Sequence, residues 1–226
     1  MDDADGITRI IIEGPGRNLL DPEKMAALER RLLEADADPS VVGILLTGAG
    51  ELFCGGLDVA AINAGGDPVE FAGALVSLLK VFPLLTTPIA AVVNGDALAS
   101  GAAIVAACDY AAAVPTARIG TLEVSVGIWP MVAQVPIVHR IGARAAMENI
   151  GSGEPFSAER AREVGLINAV VEPAELEANA SAWLRNAARG GAATAAGRPA
   201  LYELAELPYD AALDRALDRF AAMFDR

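Results

Sequence analysis

Positive charge is what this 226-residue chain most lacks: 17 Lys and Arg stand against 30 Asp and Glu, for a net charge of −13. A nucleic-acid-binding surface needs a basic footprint, so that class is set aside, and an anionic membrane surface is disfavoured for the same reason. Cysteine is nearly absent. Cys54 and Cys108 are isolated and have no metal-ligand spacing, which excludes a disulfide scaffold and a zinc module, and no other metal site is indicated. There is one histidine, His139, and aromatic residues make up only 5%. Apolar stretches are interrupted by Pro83, Pro88, Asn94 or Asp109 before they reach bilayer length. The acidic start, Met1-Asp2-Asp3-Ala4-Asp5-Gly6, has neither the basic end nor the apolar run of a secretory leader, so a cytoplasmic, reducing location is expected.

What is present is 54% hydrophobic, rich in alanine and long enough for one domain with a sizeable core. β-Branched or apolar runs predict strands at 7–12, 41–47, 89–94, 110–114 and 166–171. Asp21-Pro22 is an N-cap followed by proline at the first helical position, opening a helix with Met25, Leu28 and Leu32 on one face. Further helices are predicted through Phe71, Leu75, Leu78 and Leu79, from Ser100 to Cys108, over 131–141 and 143–150, and from Ser157 to a stop at Gly165. From Pro173 onward the pattern is helical, and the last helix places Leu213, Leu217, Phe220 and Phe224 at helical spacing. Strands alternating with helices make the class α/β. Residues 1–172 form the expected core, and 173–226 a helical region of the same domain.

The glycine turns do not match nucleotide loops. Gly48-x-Gly50 meets Phe53 where a third glycine is required, and no Gly-Lys-Ser/Thr follows any turn. Each turn taken alone is explained by tight turning. Two of them, however, Phe53-Cys54-Gly55-Gly56-Leu57-Asp58 and Asn94-Gly95-Asp96-Ala97-Leu98-Ala99-Ser100-Gly101, each follow a buried strand and precede a helix start. Unpaired N–H groups point outward there, and the helix dipole favours negative charge. Two such groups converging on one carbonyl oxygen, together with the carboxylate of Glu123, can remove a proton next to a carbonyl. Taken by itself, Glu123 reads as a solvated or salt-bridged surface carboxylate.

The first turn resembles the F-x-x-G-x-D turn of the crotonase (enoyl-CoA hydratase/isomerase) superfamily. The segment from Asn94 to Cys108-Asp109 is similar to its second oxyanion turn and helix. Gly120-Thr121-Leu122-Glu123 with Gly127-Ile128-Trp129-Pro130 resembles its catalytic-glutamate segment, and Leu166-Ile167-Asn168-Ala169-Val170-Val171 a later strand. The resemblance implies the crotonase-like fold of repeated β-β-α units with a C-terminal helical region. It also implies an acyl-CoA thioester substrate, with coenzyme A arriving as part of it and no separate cofactor, and a homotrimer or hexamer joined through the C-terminal helices. Carried over residue by residue, the N–H groups of Leu57 and Ser100 form the oxyanion hole and Glu123 is the general acid/base. Gly56, Asp58, Gly101, Met131 and, for the CoA phosphates, Arg17 fall at substrate-binding positions, and region 63–79 borders the acyl chain. Asp58 also reads as the cap of the helix behind the first turn.

Hydratases of the family carry a second glutamate three residues after the second donor, and here that residue is Ala103. Double-bond isomerisation needs one base only, so it is favoured over hydration. An acyl-CoA-binding paralogue without chemistry is a further reading. A Ser100/His139 hydrolase of the same fold is the remote one, since Leu98-Ala99-Ser100-Gly101-Ala102 is not a Gly-x-Ser-x-Gly elbow. Cys54 and Cys108 read as small buried hydrophobes.

Overall fold

The computed structural model describes residues 6–224, so the acidic start at 1–5 and the last two residues lie outside it. Strand β1 (Ile7–Ile12) is half covered, and a kinked turn, α1 (Pro15–Asn18), leads from it to α2 (Pro22–Ala37). The Asp21 carboxylate accepts the Lys24 N–H at 2.8 Å and caps α2, which buries Met25, Leu28 and Leu32 along one face. β2 (Gly43–Gly48) is buried at every position, as a parallel strand covered on both faces must be. Two helices follow: α3 (Val59–Asn63), and α4 (Pro68–Val81), which lays Phe71, Leu75 and Leu78 into the core and packs on α2.

After β3 (Ile89–Val93) the chain alternates between two sheets. β3, then β5 (Tyr110–Ala113), belong to a sheet ordered β1-β2-β3-β5-β8. Between and after them, β4 (Ala97–Leu98) and β6 (Arg118–Gly120) belong to a small sheet ordered β4-β6-β7. β3-β4 is followed by helix α5 (Ser100–Ala107), and β5-β6 by α6 (Gln134–Ser152), which is the repeated β-β-α unit. In the two earlier units the second strand has shrunk to single bridges, Leu20 with Leu57 and Cys54 with Ala97. Such two- and three-residue strands carry no alternation to read, so nothing in the local pattern announces them. The two helices expected at 131–141 and 143–150 are the two halves of α6, broken at Gly142, whose φ 75° and ψ 156° are not helical; Pro136 falls in the first turn, where a missing N–H costs nothing. β7 (Phe156–Ser157) and α7 (Ala158–Glu163) come next, and the Ser157 hydroxyl accepts the Arg160 N–H. The strand expected at 166–171 contracts to β8 (Ala169–Val170), because the N–H groups of Leu166 and Ile167 both turn back to Ala161 O to close α7.

α8 (Leu176–Ala188) lies across β2, β3 and β5, with Leu184 seated where Gly43 has no side chain. α9 (Ala192–Ala205) is held to the body by Arg198, and α10 (Tyr209–Ala222) packs on α9 and buries no residue of its own. Leu213, Leu217, Phe220 and Phe224 do lie at helical spacing, on an exposed face. Cys54 and Cys108 are free and buried, and burial pushes the Cys54 thiol up to about 11 and that of Cys108 further in the same direction. Both behave as small core hydrophobes. Among the described residues no helix is long and apolar enough to cross a membrane.

Candidate active site

The first turn is tied down almost group by group. The N–H groups of Phe53 and Cys54 donate to Asp96 O, Gly55 N–H donates to Arg17 O, and Gly56 O and the Asp58 N–H bond to the two sides of Leu20. Asn18, held in a left-handed conformation (φ 54°), donates its amide to Ala49 O at 2.9 Å and Leu52 O at 2.7 Å. The exception is Leu57, whose N–H has no acceptor among the described residues.

The second turn is built the same way. The Asn94 side chain accepts from Gly48 N and donates to the carbonyls of Gly48 and Gly50, locking the two turns' strands together. Asp96 accepts the Arg118 N–H at 2.9 Å, and Leu98 N–H reaches Cys54 O at 2.8 Å. Ala99 then adopts φ 52°, ψ −118°, a region left almost entirely to glycine, at a cost of about 1–3 kcal/mol. That bend starts α5 with Ser100, whose N–H likewise has no acceptor among the described residues.

The two turns touch. A β-carbon on Gly56 (φ 109°) would come within 2.9 Å of Ala99 Cβ and 3.9 Å of Ser100 Oγ, and one on Gly101 within 2.5 Å of Cys54 O. Only glycine fits at either position, and the close approach brings the Leu57 and Ser100 segments side by side. The Ser100 hydroxyl, on a residue only 1% exposed, has no hydrogen-bond partner. A buried hydroxyl left unpaired costs about 1–3 kcal/mol.

β6 delivers the carboxylate. Ala99 N–H donates to Gly120 O at 2.9 Å, so the strand that ends at Gly120 runs directly beside the second turn. Thr121 is clamped by the fully buried Asn149: its N–H and hydroxyl both donate to Asn149 Oδ1, and its carbonyl accepts from Asn149 Nδ2. Glu123 opens a short 3₁₀ turn (Glu123–Val126) closed by Gly127 in a left-handed conformation. It is half-buried; Oε2 accepts the Leu122 N–H at 2.9 Å, and Oε1 has no protein partner among the described residues. The carboxylate is thus oriented by one oxygen and left with the other. Two free N–H donors on touching turns and one fixed carboxylate in the 3₁₀ turn after the neighbouring strand can polarise a carbonyl and take up a proton beside it.

The remaining sequence candidates are distributed more widely. Asp58 Oδ1 accepts the Ala61 N–H at 3.0 Å and caps α3. Arg17 does lie beside the first turn, with its guanidinium 3.4 Å from Asp96. Ala103 is buried one turn into α5 and brings no carboxylate. Met131 is exposed and lines a cavity of about 970 Å³, with Val76, Leu79, Val135 and Leu201, at the other end of α5 from the turns. Ser100 and His139 are not brought together: His139 Nδ1 lies 3.1 Å from Glu206, and Ser100 Oγ has no partner at all. A nucleophile and its base must share a hydrogen bond, so this pair forms no hydrolase dyad. Asn18, Asp96 and Asn149, which hold the three segments, were not visible in the sequence. Asn149 acts on a residue 28 positions away, and no local signal announces it.

The enoyl-CoA hydratase/isomerase family model matches residues 2–225. A Thermus thermophilus protein named after enoyl-CoA hydratase is 32% identical over 179 residues, which are 76% of this chain and 70% of that one. The mitochondrial enoyl-CoA hydratase domain-containing protein 3 of Xenopus laevis is 32% identical over 176 residues, 76% of this chain and 60% of the relative. An enoyl-CoA hydratase structure from Mycobacterium smegmatis superposes with a TM-score of 0.90 at 28% identity, covering 97% of this chain and 88% of the other. With its two touching turns and its α/β architecture, the chain belongs to the enoyl-CoA hydratase/isomerase family of the crotonase superfamily.

Proposed function

We propose that the protein moves the double bond of an enoyl-CoA, with Glu123 as its single acid/base. The Glu123 carboxylate takes a proton from C2 of a 3-enoyl thioester, and the thioester oxygen of the resulting dienolate is held by the N–H groups of Leu57 and Ser100. The same carboxylate returns the proton at C4 and leaves the 2-enoyl product. The observation that carries this reading is the solitude of Glu123. Ala103 has no carboxylate, while Asp58 and Asp96 are committed to Ala61 N–H and to Arg118 N–H and Arg17. Hydration uses two carboxylates to hold and activate water, whereas a proton shuttle needs one.

Coenzyme A arrives with the substrate, and Arg17 is the cation we place against its phosphates. Gly56 and Gly101 keep the turns close enough for both donors to reach one oxygen, and Asp58 holds the first of them by capping α3. The segment 63–79 borders the acyl chain, whereas Met131, on the cavity at the other end of α5, is not placed against it. The uncovered apolar face of α10 supports assembly into a trimer or hexamer through the C-terminal helices. Incubation with 3-enoyl-CoA and 2-enoyl-CoA separately tests the reaction. Isomerisation without hydration, lost in Glu123→Gln, is expected. Vigorous hydration of the 2-enoyl substrate would sink the single-glutamate mechanism, and tight binding with no turnover would make the protein an acyl-CoA-binding paralogue.

A further inference from the structure

Two buried side-chain groups among the described residues have no partner, Ser100 Oγ and Arg198 Nη2. The other nitrogens of Arg198 are bonded to Asp109, Phe82 O and Leu85 O, so its one free atom belongs to a group otherwise satisfied by the fold. Ser100 has no such explanation. Its hydroxyl is enclosed, its proton is uncommitted, and it faces the Gly56 side of the contact between the two turns, at 3.9 Å from the place a Gly56 β-carbon would take.

We infer that the Ser100 hydroxyl is a third hydrogen-bond donor to the thioester oxygen of the substrate, beside the peptide N–H groups of Leu57 and of Ser100 itself. The inference rests on the enolate-stabilising reading of the site. No base is hydrogen-bonded to the hydroxyl, which has no partner among the described residues, and the one histidine is paired with Glu206 on the far cavity wall, so the serine keeps its proton and forms no bond to carbon. A hydroxyl rotates where a peptide N–H cannot, and it follows the oxygen as the carbonyl becomes an enolate. Hydrogen bonds to an ionised oxygen are roughly twice as strong as neutral ones, so the gain falls on the enolate-like transition state rather than on substrate binding.

The test compares wild type with Ser100→Ala, using an enoyl-CoA conjugated to an aromatic ring, whose absorption moves to longer wavelength when its carbonyl is polarised. Wild type is expected to bind it with a red shift. Ser100→Ala is expected to bind with similar affinity but a smaller shift, and to isomerise 3-enoyl-CoA with kcat lowered ~10²-fold and KM little changed. Ser100→Thr, which keeps the hydroxyl, should recover the shift. The thermal midpoint of Ser100→Ala should equal or exceed that of wild type, because no protein hydrogen bond is removed. A full shift and full rate in Ser100→Ala would overturn the inference and leave the proposed reaction standing. A lowered midpoint accompanying the lost shift would mark the hydroxyl as structural and overturn it as well. A wild-type protein that neither binds nor polarises the thioester would overturn the enolate reading, and this inference with it.

Discussion

The two ends of α5 are finished in opposite ways. At its C-terminus, Arg140 donates to Ala106 O at 2.9 Å and Cys108 O at 2.8 Å, so the last carbonyls of the helix meet both hydrogen bonds and a positive charge. Beyond them Asp109 accepts from Ile89 N–H, Arg198 and Tyr202, and Arg198 goes on to Phe82 O and Leu85 O. Burial, and then the neighbouring Asp109 carboxylate, push the Tyr202 phenol up to about 12, so it stays a donor. At the N-terminus nothing of the kind is supplied. Among the described residues the Ser100 N–H and hydroxyl and the adjoining Leu57 N–H have no partner, and the preceding Ala99 is strained. A fold that satisfies one end of an eight-residue helix so completely has the means to satisfy the other. On the proposed reading, the difference marks where the enolate oxygen is to be received. A cavity of about 970 Å³ sits at the satisfied end, so volume alone would point away from the proposed site.

The largest effect that would sharpen this contrast is Glu123→Gln. The amide oxygen can still accept the Leu122 N–H, so stability should hold while the isomerisation rate falls ~10²–10⁴-fold; a melting curve and a 3-enoyl-CoA assay together decide it. Arg198→Met attacks the other end. It leaves Asp109 buried without its cation and should cost about 3–5 kcal/mol in urea unfolding, with the folded fraction still active. Loss of kcat in that variant under conditions where it is fully folded would break the separation of the two ends.

Asn149→Leu lies between the extremes. It strips three bonds from Thr121, for about 1–3 kcal/mol per unpaired group, and loosens the segment that aims Glu123. The expected signature is a fall in kcat larger than any change in KM; equal losses of both would mean that Asn149 serves stability alone. The smallest effect concerns Cys54, packed behind Gly101 under the unsatisfied end. Its folded pKa of about 11 lies above the ordinary 9.0, because burial disfavours the thiolate. The associated stability is complete below pH 9 and is lost as pH rises through about 11. Thermal midpoints measured across that window should fall for wild type and fall less in Cys54→Ala; parallel curves would remove Cys54 from the account.

Structure is legible in the sequence where the chemistry is confined to one turn of helix or one run of strand. Asp21 and Asp58 cap the helices they precede, because a cap and its N–H lie three residues apart. The glycines of the two turns sit where backbone meets backbone, and the cysteines are buried as expected. The strands of the small sheet are not legible, since two or three residues have no period.

The order of residues along the chain thus settles which groups are available: two glycine turns, one glutamate, no second carboxylate at Ala103. Their convergence is a matter of packing. Asn18 reaches Leu52 across 34 residues, Asn149 reaches Thr121 across 28, and Arg198 reaches Asp109 across 89. A hydrogen bond between distant segments leaves no trace in the local pattern of either, and neither does the burial of a hydroxyl. Ser100 is an ordinary serine in the sequence, and only the enclosure made by Gly56, Ala99 and their neighbours leaves its hydroxyl buried without a partner among the described residues.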